Sequence, residues 1–249
     1  IIWIMIGGNI AYIAVGKDNV KPNADLAVSD RYKKVLKDIG VVYKNPEIIK
    51  VFIVRIINQL SLFGLVIIFP VLFTDEIGFT MQQWLWIWGT MHVTCIVGDV
   101  FWGITADKIG WKRQVMWFGC VGCGITTLTF YYLPMISGDV FLIGVLCAVL
   151  FGITQSAFVP IFAIFTALEP NHIGATLSSH NLAAGLSNFL PSVIATVLLP
   201  VFNEIGVVWA FALLYFFGAV LTYFIKVHQP GLKEKPRKVI QPKPDNVNI

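Results

Sequence analysis

Charged residues are scarce in this chain of 249 amino acids: 13% of its residues are charged and 57% are hydrophobic. A soluble domain carries about 25% charged residues, so this low fraction argues against a water-soluble globule. Strict polar/apolar alternation is also missing, which argues against a transmembrane β-barrel. Apolar runs of about 20 residues recur instead, the length at which a helix spans ~30 Å of hydrocarbon. The sequence therefore predicts an all-α integral membrane protein.

Paired cysteines and an initiator methionine are lacking too. The four cysteines all lie in apolar runs, and the C-x-x-C spacing of Cys120 and Cys123 has no second pair or histidine after it. This favours packing over a disulfide or a metal site, so we expect no metal and no bound cofactor. The chain has no initiator Met and opens inside an apolar run at 1–15, too short for a full span. We interpret that run as the end of a helix and the chain as a fragment.

Six apolar segments follow a polar stretch at 16–47 and together form a bundle at 48–228. Residues 229–249 are rich in Pro and Lys, and we expect them to form a disordered basic tail. The six segments run approximately over 48–73, 81–106, 114–134, 139–167, 173–200 and 205–227.

Basic residues are missing from every second connection between these segments. Of the 18 Lys and Arg residues, eight lie in the first polar stretch and its border, three at 108–113 and six near or in the tail, with only Arg55 elsewhere. The alternate connections, at 75–80, 135–139 and 201–204, hold four acids and no Lys or Arg. The positive-inside rule therefore predicts a multi-pass protein of the cell membrane with both ends of the bundle in the cytoplasm.

A motif lies in the basic connection after the second segment, which reads Gly103-Ile-Thr-Ala-Asp107-Lys108-Ile-Gly110-Trp-Lys112-Arg113. It resembles the G-x-x-x-D-[RK]-x-G-[RK]-[RK] loop of major facilitator superfamily transporters, although Trp111 stands where the first closing base often lies. In that family the loop is a cytoplasmic gate that opens and closes during alternating access. The resemblance implies this role for Gly103, Asp107, Lys108, Gly110, Lys112 and Arg113, while an ordinary basic hairpin is the alternative.

We expect Gly103 to let another helix approach closely, since it has no side chain. We expect the carboxylate of Asp107 to meet the positive N-terminal end of the fifth segment. The resemblance also implies the fold: six transmembrane helices in a 3+3 inverted repeat, forming the C-terminal half of a 12-helix protein. Residues 1–15 then end the sixth helix, 16–47 form the central cytoplasmic loop, and the partner is a missing N-terminal six-helix half.

A trace of that repeat is visible in the first segment of each triplet. The first segment carries Phe63-Gly64 and Phe69-Pro70, and the fourth carries Phe151-Gly152 and Phe158-Val-Pro160. These pairs predict interrupted helices, which often border binding sites.

Polar side chains inside apolar segments are costly and so mark candidate substrate contacts. Arg55 can face a cavity or reach the cytoplasmic surface, and His92 can equally be a packing residue. Asp99 is either an ion-pair or gate residue or a protonatable coupling group. The fifth segment has a stripe of small and polar residues, from Gly174 to Ser192, that either packs or lines a pore; His180 lies off it and is not a candidate. The candidates are Arg55, Asn58, Gln59, Trp88, His92, Gln155, Asn181 and Asn188.

The pattern Arg55-Ile-Ile-Asn58, Trp84-x-x-x-Trp88 and Trp117-Phe-Gly119 also resembles polyol permeases. That resemblance implies a secondary active transporter that imports a sugar alcohol or sugar with protons, driven by the proton gradient. Neutral amides and hydroxyls in the segments suit such a solute. An organic anion (a carboxylate or sugar phosphate) is the alternative substrate, and a channel or receptor the alternative class. An enzyme is not expected, because His92 and Asp99 lack a third catalytic partner.

Overall fold

The computed structural model describes residues 42–227, together with Lys33, Lys37 and Gly40. The predicted helix end at 1–15, most of the central loop at 16–47 and the tail at 229–249 lie outside these residues. All regular structure in the described part is helical. Five of its helical stretches are long and apolar enough to cross a membrane. These are α1 (Pro46–Ile77), α2 (Met81–Ile109), α3 (Trp111–Ser137), α4 (Phe141–Leu168) and a longer stretch, Pro170–Phe224.

The longest stretch folds back on itself at Asn203, whose backbone is not helical (φ 55°, ψ −164°). On one side of it, Ser187 Oγ donates to Gln59 Oε1 over 3.3 Å. On the other, Tyr215 Oη donates to the carbonyl of Asn58 over 2.9 Å. In a straight helix, Ser187 and Tyr215 would lie roughly 40 Å apart at 1.5 Å per residue. Because both reach the same level of α1, the chain reverses near Asn203, and we name the two parts α5 (173–202) and α6 (204–224).

The backbone of the turn between α2 and α3 explains why the motif has a glycine at position 110. Gly110 ends α2 with φ 96° and ψ 126°, and α3 begins at the next residue. A side chain is strained at such a positive φ, so glycine suits this position for a backbone reason. The basic residues that follow are thereby placed on the first turn of α3.

Two helices of the bundle are interrupted near the middle of their length. In α1 the interruption lies at Gln59 (φ −107°, ψ 3°). In α4 the helix gives way to a turn at 157–160 and resumes at Ile161. The fourth segment is therefore interrupted beside Pro160, as its sequence predicted.

The interruption of α1 corrects the predicted position. Gly64 lies within the helix Leu60–Val71, where it gives room to the ring of Phe211, and Pro70 lies in the last turn of the same helix. The backbone continues past Pro70 as a wider π-helical turn, Leu72–Ile77. Within this turn the hydroxyl of Thr74 donates to the carbonyl of Pro70 over 2.9 Å.

The helices α2 and α4 cross at close range. A Cβ at Gly152 would lie 2.7 Å from the carbonyl oxygen of Met91, and one at Gly98 would collide with the hydroxyl of Ser156. Small residues let two backbones approach in this way. At one end of α1 and α2 an aromatic cluster adds to the core: the ring centroids of Phe69 and Phe130 are 5.2 Å apart, in edge-to-face geometry.

Candidate functional site

A cavity of about 380 Å³ lies between α1, α2, α4 and α5, next to both helix interruptions. Apolar side chains, including Leu62, Val159 and Phe162, form part of its wall. Its polar lining brings together six of the residues predicted from the sequence and adds three others. The predicted ones are Arg55, Asn58, Gln59, His92, Asp99 and Gln155; the others are Cys95, Ser156 and His180.

Arg55 is held in the wall of this cavity by neutral acceptors. Its Nε donates to Nε2 of His180 over 3.1 Å, and its Nη1 donates to Oδ1 of Asn58. The side chain is only 9% exposed, so it lies on the cavity and does not extend to the surface. Within the described residues it forms no ion pair with a carboxylate. A buried cation without a counter-ion is costly unless a ligand or a nearby charge compensates it.

His180 is a cavity residue that the sequence reasoning left out. Because its Nε2 accepts the Arg55 hydrogen bond, the proton of the neutral ring is assigned to Nδ1, which lies 3.5 Å from Oδ1 of Asn181. The edges of Phe162 and Phe165 enclose the ring, with centroid distances of 5.5 and 5.3 Å. A histidine in an apolar segment was the only available signal. Its partner lies 125 positions away in the chain.

Gln155 supports the interruption of α1. Its Nε2 donates to the carbonyl of Asn58 over 2.7 Å, and its Oε1 lies 3.2 Å from the hydroxyl of Tyr215, whose one proton is shared between this oxygen and the Asn58 carbonyl. A break in a membrane helix frees backbone groups that neighbouring helices must satisfy, and here α4 and α6 do so together. Gln155 was predicted as a substrate contact. The structure places it on the cavity with both ends of its amide already engaged.

Side-chain donors support the second interruption in the same way. Nε2 of Gln114 donates to the carbonyl of Ala157 over 3.2 Å. One turn earlier, the indole of Trp102 donates to the carbonyl of Ile153 over 2.8 Å. Both donors come from neighbouring helices, and neither was singled out from the sequence, since a Gln at a helix start and a membrane Trp are ordinary features.

The opposite wall carries His92 and Asp99, two turns apart on α2. Both residues are exposed in the described structure and both line the cavity. Asp99 forms no hydrogen bond or ion pair with any described residue, so the ion-pair role considered for it finds no partner there. Gln59 completes the lining beside the α1 interruption, where it accepts the hydroxyl of Ser187.

Three predicted contacts lie outside the cavity lining. Trp88 stacks on Trp84 at 5.2 Å and meets the ring of His92 edge-on at 5.8 Å. Asn181 and Asn188 are exposed on α5. The whole stripe from Gly174 to Ser192 shares that exposed face, so it packs against no helix that the structure describes: Gly174, Ser178, Asn181, Gly185, Asn188 and Ser192.

Two expectations about the gate motif need correction. Oδ1 of Asp107 accepts the indole N–H of Trp111 over 2.7 Å, one helical turn later, and does not cap α5. The start of α5 is held elsewhere, because Glu169 accepts the side-chain amide of Asn45 over 2.8 Å. A Cβ at Gly103 would meet nothing within 4 Å, so no described helix approaches it closely.

Lys112 of the motif connects α3 to the end of α6. Lys112 Nζ lies 5.5 Å from the centre of the Tyr223 ring, within reach of a cation–π interaction. At the same end of the bundle, Glu47 pairs with Lys50 at 2.8 Å and accepts the backbone N–H of Lys226 at 2.8 Å. Polar contacts thus connect α1, α3 and α6 where the basic residues gather.

Long apolar helices, two of them interrupted beside a polar cavity, define a helical membrane protein with a polar site between its helices. Comparison with known proteins agrees: the Major Facilitator Superfamily profile matches residues 51–246. The chain belongs to this superfamily.

Named transporters are among its relatives. The chain is 44% identical to the ribitol transporter of Klebsiella pneumoniae over 232 residues, which is 93% of this chain and 54% of that protein. It is 42% identical to the D-arabinitol transporter of the same organism over 234 residues, 94% of this chain and 55% of the relative. The alpha-ketoglutarate permease of Bacillus subtilis (strain 168) is 33% identical over 229 residues, 92% and 52% of the two chains. The chain spans about half the length of these relatives.

Proposed function

We propose that this chain is the C-terminal half of a secondary active transporter that imports a sugar alcohol or sugar together with protons. The observation that carries the proposal is the polar cavity beside two interrupted helices in a chain that is 44% identical to a ribitol transporter. Such interruptions free backbone groups and side chains for solute binding. The cavity volume of about 380 Å³ lies within the range of small-molecule sites.

The proposed architecture is six membrane-spanning helices in a 3+3 inverted repeat. The triplets are α1–α3 and α4–α6, and the interrupted helices α1 and α4 are the first of each. The partner is an N-terminal six-helix half, which the length of the relatives supports. That half would cover the exposed stripe of α5 and close the cavity from the other side. Both ends of the bundle lie in the cytoplasm, as the distribution of Lys and Arg indicates.

Alternating access follows from this arrangement. The cavity lies between the two halves, and the motif loop from Gly103 to Arg113 acts as the cytoplasmic gate. Its contacts with α6, through Lys112 and Tyr223, belong to the closed state. Rocking of the halves around the cavity then exposes the solute to each side in turn.

Neutral polar groups support a polyol as the solute. Asn58, Gln59 and Ser156 provide amides and a hydroxyl, which both donate to and accept from hydroxyl groups. An organic anion is the second candidate, because Arg55 faces the cavity with no carboxylate partner among the described residues and an alpha-ketoglutarate permease is among the relatives.

Uptake into proteoliposomes that contain the full-length protein tests the proposal. Labelled ribitol, D-arabinitol and alpha-ketoglutarate are compared, each with and without an inward proton gradient. We expect uptake of a polyol that the gradient stimulates. Uptake of alpha-ketoglutarate without uptake of either polyol would show that the solute is the organic anion. Polyol uptake at the same rate with and without the gradient would exclude proton coupling.

A further inference from the structure

We propose that Arg55 and His180 form the device that couples proton binding to solute binding. A proton taken from water by His180 Nε2 displaces the hydrogen bond from Arg55 and turns the guanidinium into the cavity, where it donates to an oxygen of the solute. This inference rests on the proposed transport function and names the residues that carry its coupling.

The geometry makes the two states mutually exclusive. Neutral imidazole has one lone pair, on Nε2 here, and Arg55 Nε occupies it over 3.1 Å. Once a proton binds that lone pair, both groups are donors and both are cations, so the contact is lost. One N–H bond has formed, and the pair has gained one positive charge.

The ring of His180 is the more constrained of the two partners. Phe162 and Phe165 enclose it edge-on, with interplanar angles of 85° and 90°. Arg55 is on a long flexible side chain, whose other anchor is the neutral Oδ1 of Asn58. The group that moves on protonation is therefore Arg55, which already lines the cavity.

The charged and titratable groups around the pair are few. Arg55 faces His180 from α1, and the lining from α4 is uncharged, with its polar groups on Gln155 and Ser156. From α2, the titratable side chains of His92, Cys95 and Asp99 line the same cavity. Asp99 is the only carboxylate in that lining, and it compensates the added positive charge without being the group that binds the proton.

Coupling between proton binding and solute binding then follows from thermodynamic linkage. A solute oxygen gains the Arg55 donors only when His180 is protonated, so proton and solute each strengthen the binding of the other by the same factor. One proton accompanies each solute. For an uncharged polyol the loaded cavity carries one extra positive charge, so the membrane potential contributes to the driving force.

The first test needs no solute. Nitrogen NMR of the full-length protein in micelles, labelled with ¹⁵N-arginine and ¹⁵N-histidine, follows Arg55 Nε and the His180 ring against pH; Arg55→Lys and His180→Gln assign the two signals. We expect both signals to change with one shared midpoint. An Arg55 Nε signal that stays constant while His180 titrates would overturn the proposal, whatever the solute.

The second test counts protons during solute binding. Ribitol is added to the weakly buffered protein, and a pH indicator reports about one proton taken up per ribitol bound. In the wild type, ribitol affinity falls about tenfold per pH unit above the His180 midpoint. His180→Gln binds ribitol without proton uptake and with a flat pH profile, whereas the control His172→Gln, between α4 and α5, behaves like the wild type.

The results of these two tests distinguish the proposed Arg55–His180 pair from the proposed polyol transport. Proton uptake that persists in His180→Gln and disappears in Asp99→Asn would overturn the role of the pair and assign the proton to Asp99. Failure of the wild type to bind ribitol, with Arg55 and His180 titrating together, would reject ribitol as the solute while supporting the pair.

Discussion

The side-chain amide of Gln155 on α4 donates a 2.7 Å hydrogen bond to the backbone carbonyl of Asn58, at the point where α1 is interrupted. Tyr215 on α6 donates to the same carbonyl. Three helices thus meet at one backbone oxygen beside the cavity. This junction fixes the direction of the α1 residues on either side of the break, including Arg55 and Gln59, and so sets the shape of the polar wall.

Replacement of Gln155 by leucine should therefore destabilise the protein. The buried Asn58 carbonyl loses a donor, and we expect a cost of about 1–3 kcal/mol, measured as a lower thermal unfolding midpoint of the full-length protein in detergent. Tyr215→Phe should cost less, since Gln155 still serves the carbonyl. Gln82→Leu, at the exposed start of α2, is the matched control. An unchanged midpoint with a raised KM in Gln155→Leu would show instead that Gln155 contacts the solute.

The crossing of α2 and α4 should not tolerate a methyl group at Gly152. The new Cβ would lie 2.7 Å from the carbonyl oxygen of Met91 and 2.9 Å from Thr94 Cβ, so the helices must separate. We expect Gly152→Ala to cost about 1–3 kcal/mol, the usual effect of overpacking, in the same unfolding assay. Gly89→Ala on α2 is the control, because nothing lies within 4 Å of its Cβ. Equal stability of the two variants would contradict the close crossing.

Alanine at Gly110 should strain the turn between α2 and α3. The backbone there has φ 96°, and a non-glycine residue in such a conformation costs of order 1–3 kcal/mol. The variant is expected to unfold at lower temperature and to transport more slowly. Gly103→Ala should be neutral in stability, because its surroundings in the described structure are open. Damage at Gly103 as severe as at Gly110 would mean that the partner half packs against α2 at that residue.

Asp107→Asn and Trp111→Phe together separate charge from hydrogen bonding in the gate. The asparagine variant keeps an oxygen that can accept the Trp111 indole but loses the charge, while the phenylalanine variant keeps the charge and loses the 2.7 Å hydrogen bond. Since the Asp107 carboxylate lies next to the basic residues of the motif, we expect its charge to matter for the gate: transport should fall in Asp107→Asn with normal membrane insertion, and Trp111→Phe should remain close to the wild type. Transport rates in proteoliposomes, normalised to inserted protein, provide the comparison. Equal transport rates for Asp107→Asn and the wild type would show that the charge of Asp107 has no role in gating.

The sequence alone was sufficient for the class and the family. Long apolar runs require helices in a membrane, because every backbone group there must be satisfied within its own segment. The motif from Gly103 to Arg113 identified the superfamily, which the comparison with known proteins confirmed. Both signals are local: each is contained in a stretch of chain short enough to be read without knowing its neighbours.

Tertiary structure alone decided which polar groups meet. Arg55 and His180 are 125 positions apart and Gln155 and Asn58 are 97 apart, so neither pair leaves a pattern in the sequence. The break of α1 at Gln59 likewise depends on donors that α4 and α6 bring to the Asn58 carbonyl, whereas Pro70 could stay inside its helix. The sequence determined that this chain is a helical membrane protein of the major facilitator superfamily; the packing of the helices determined where they break and which side chains line the cavity, because freed hydrogen-bonding groups must find partners on neighbouring helices.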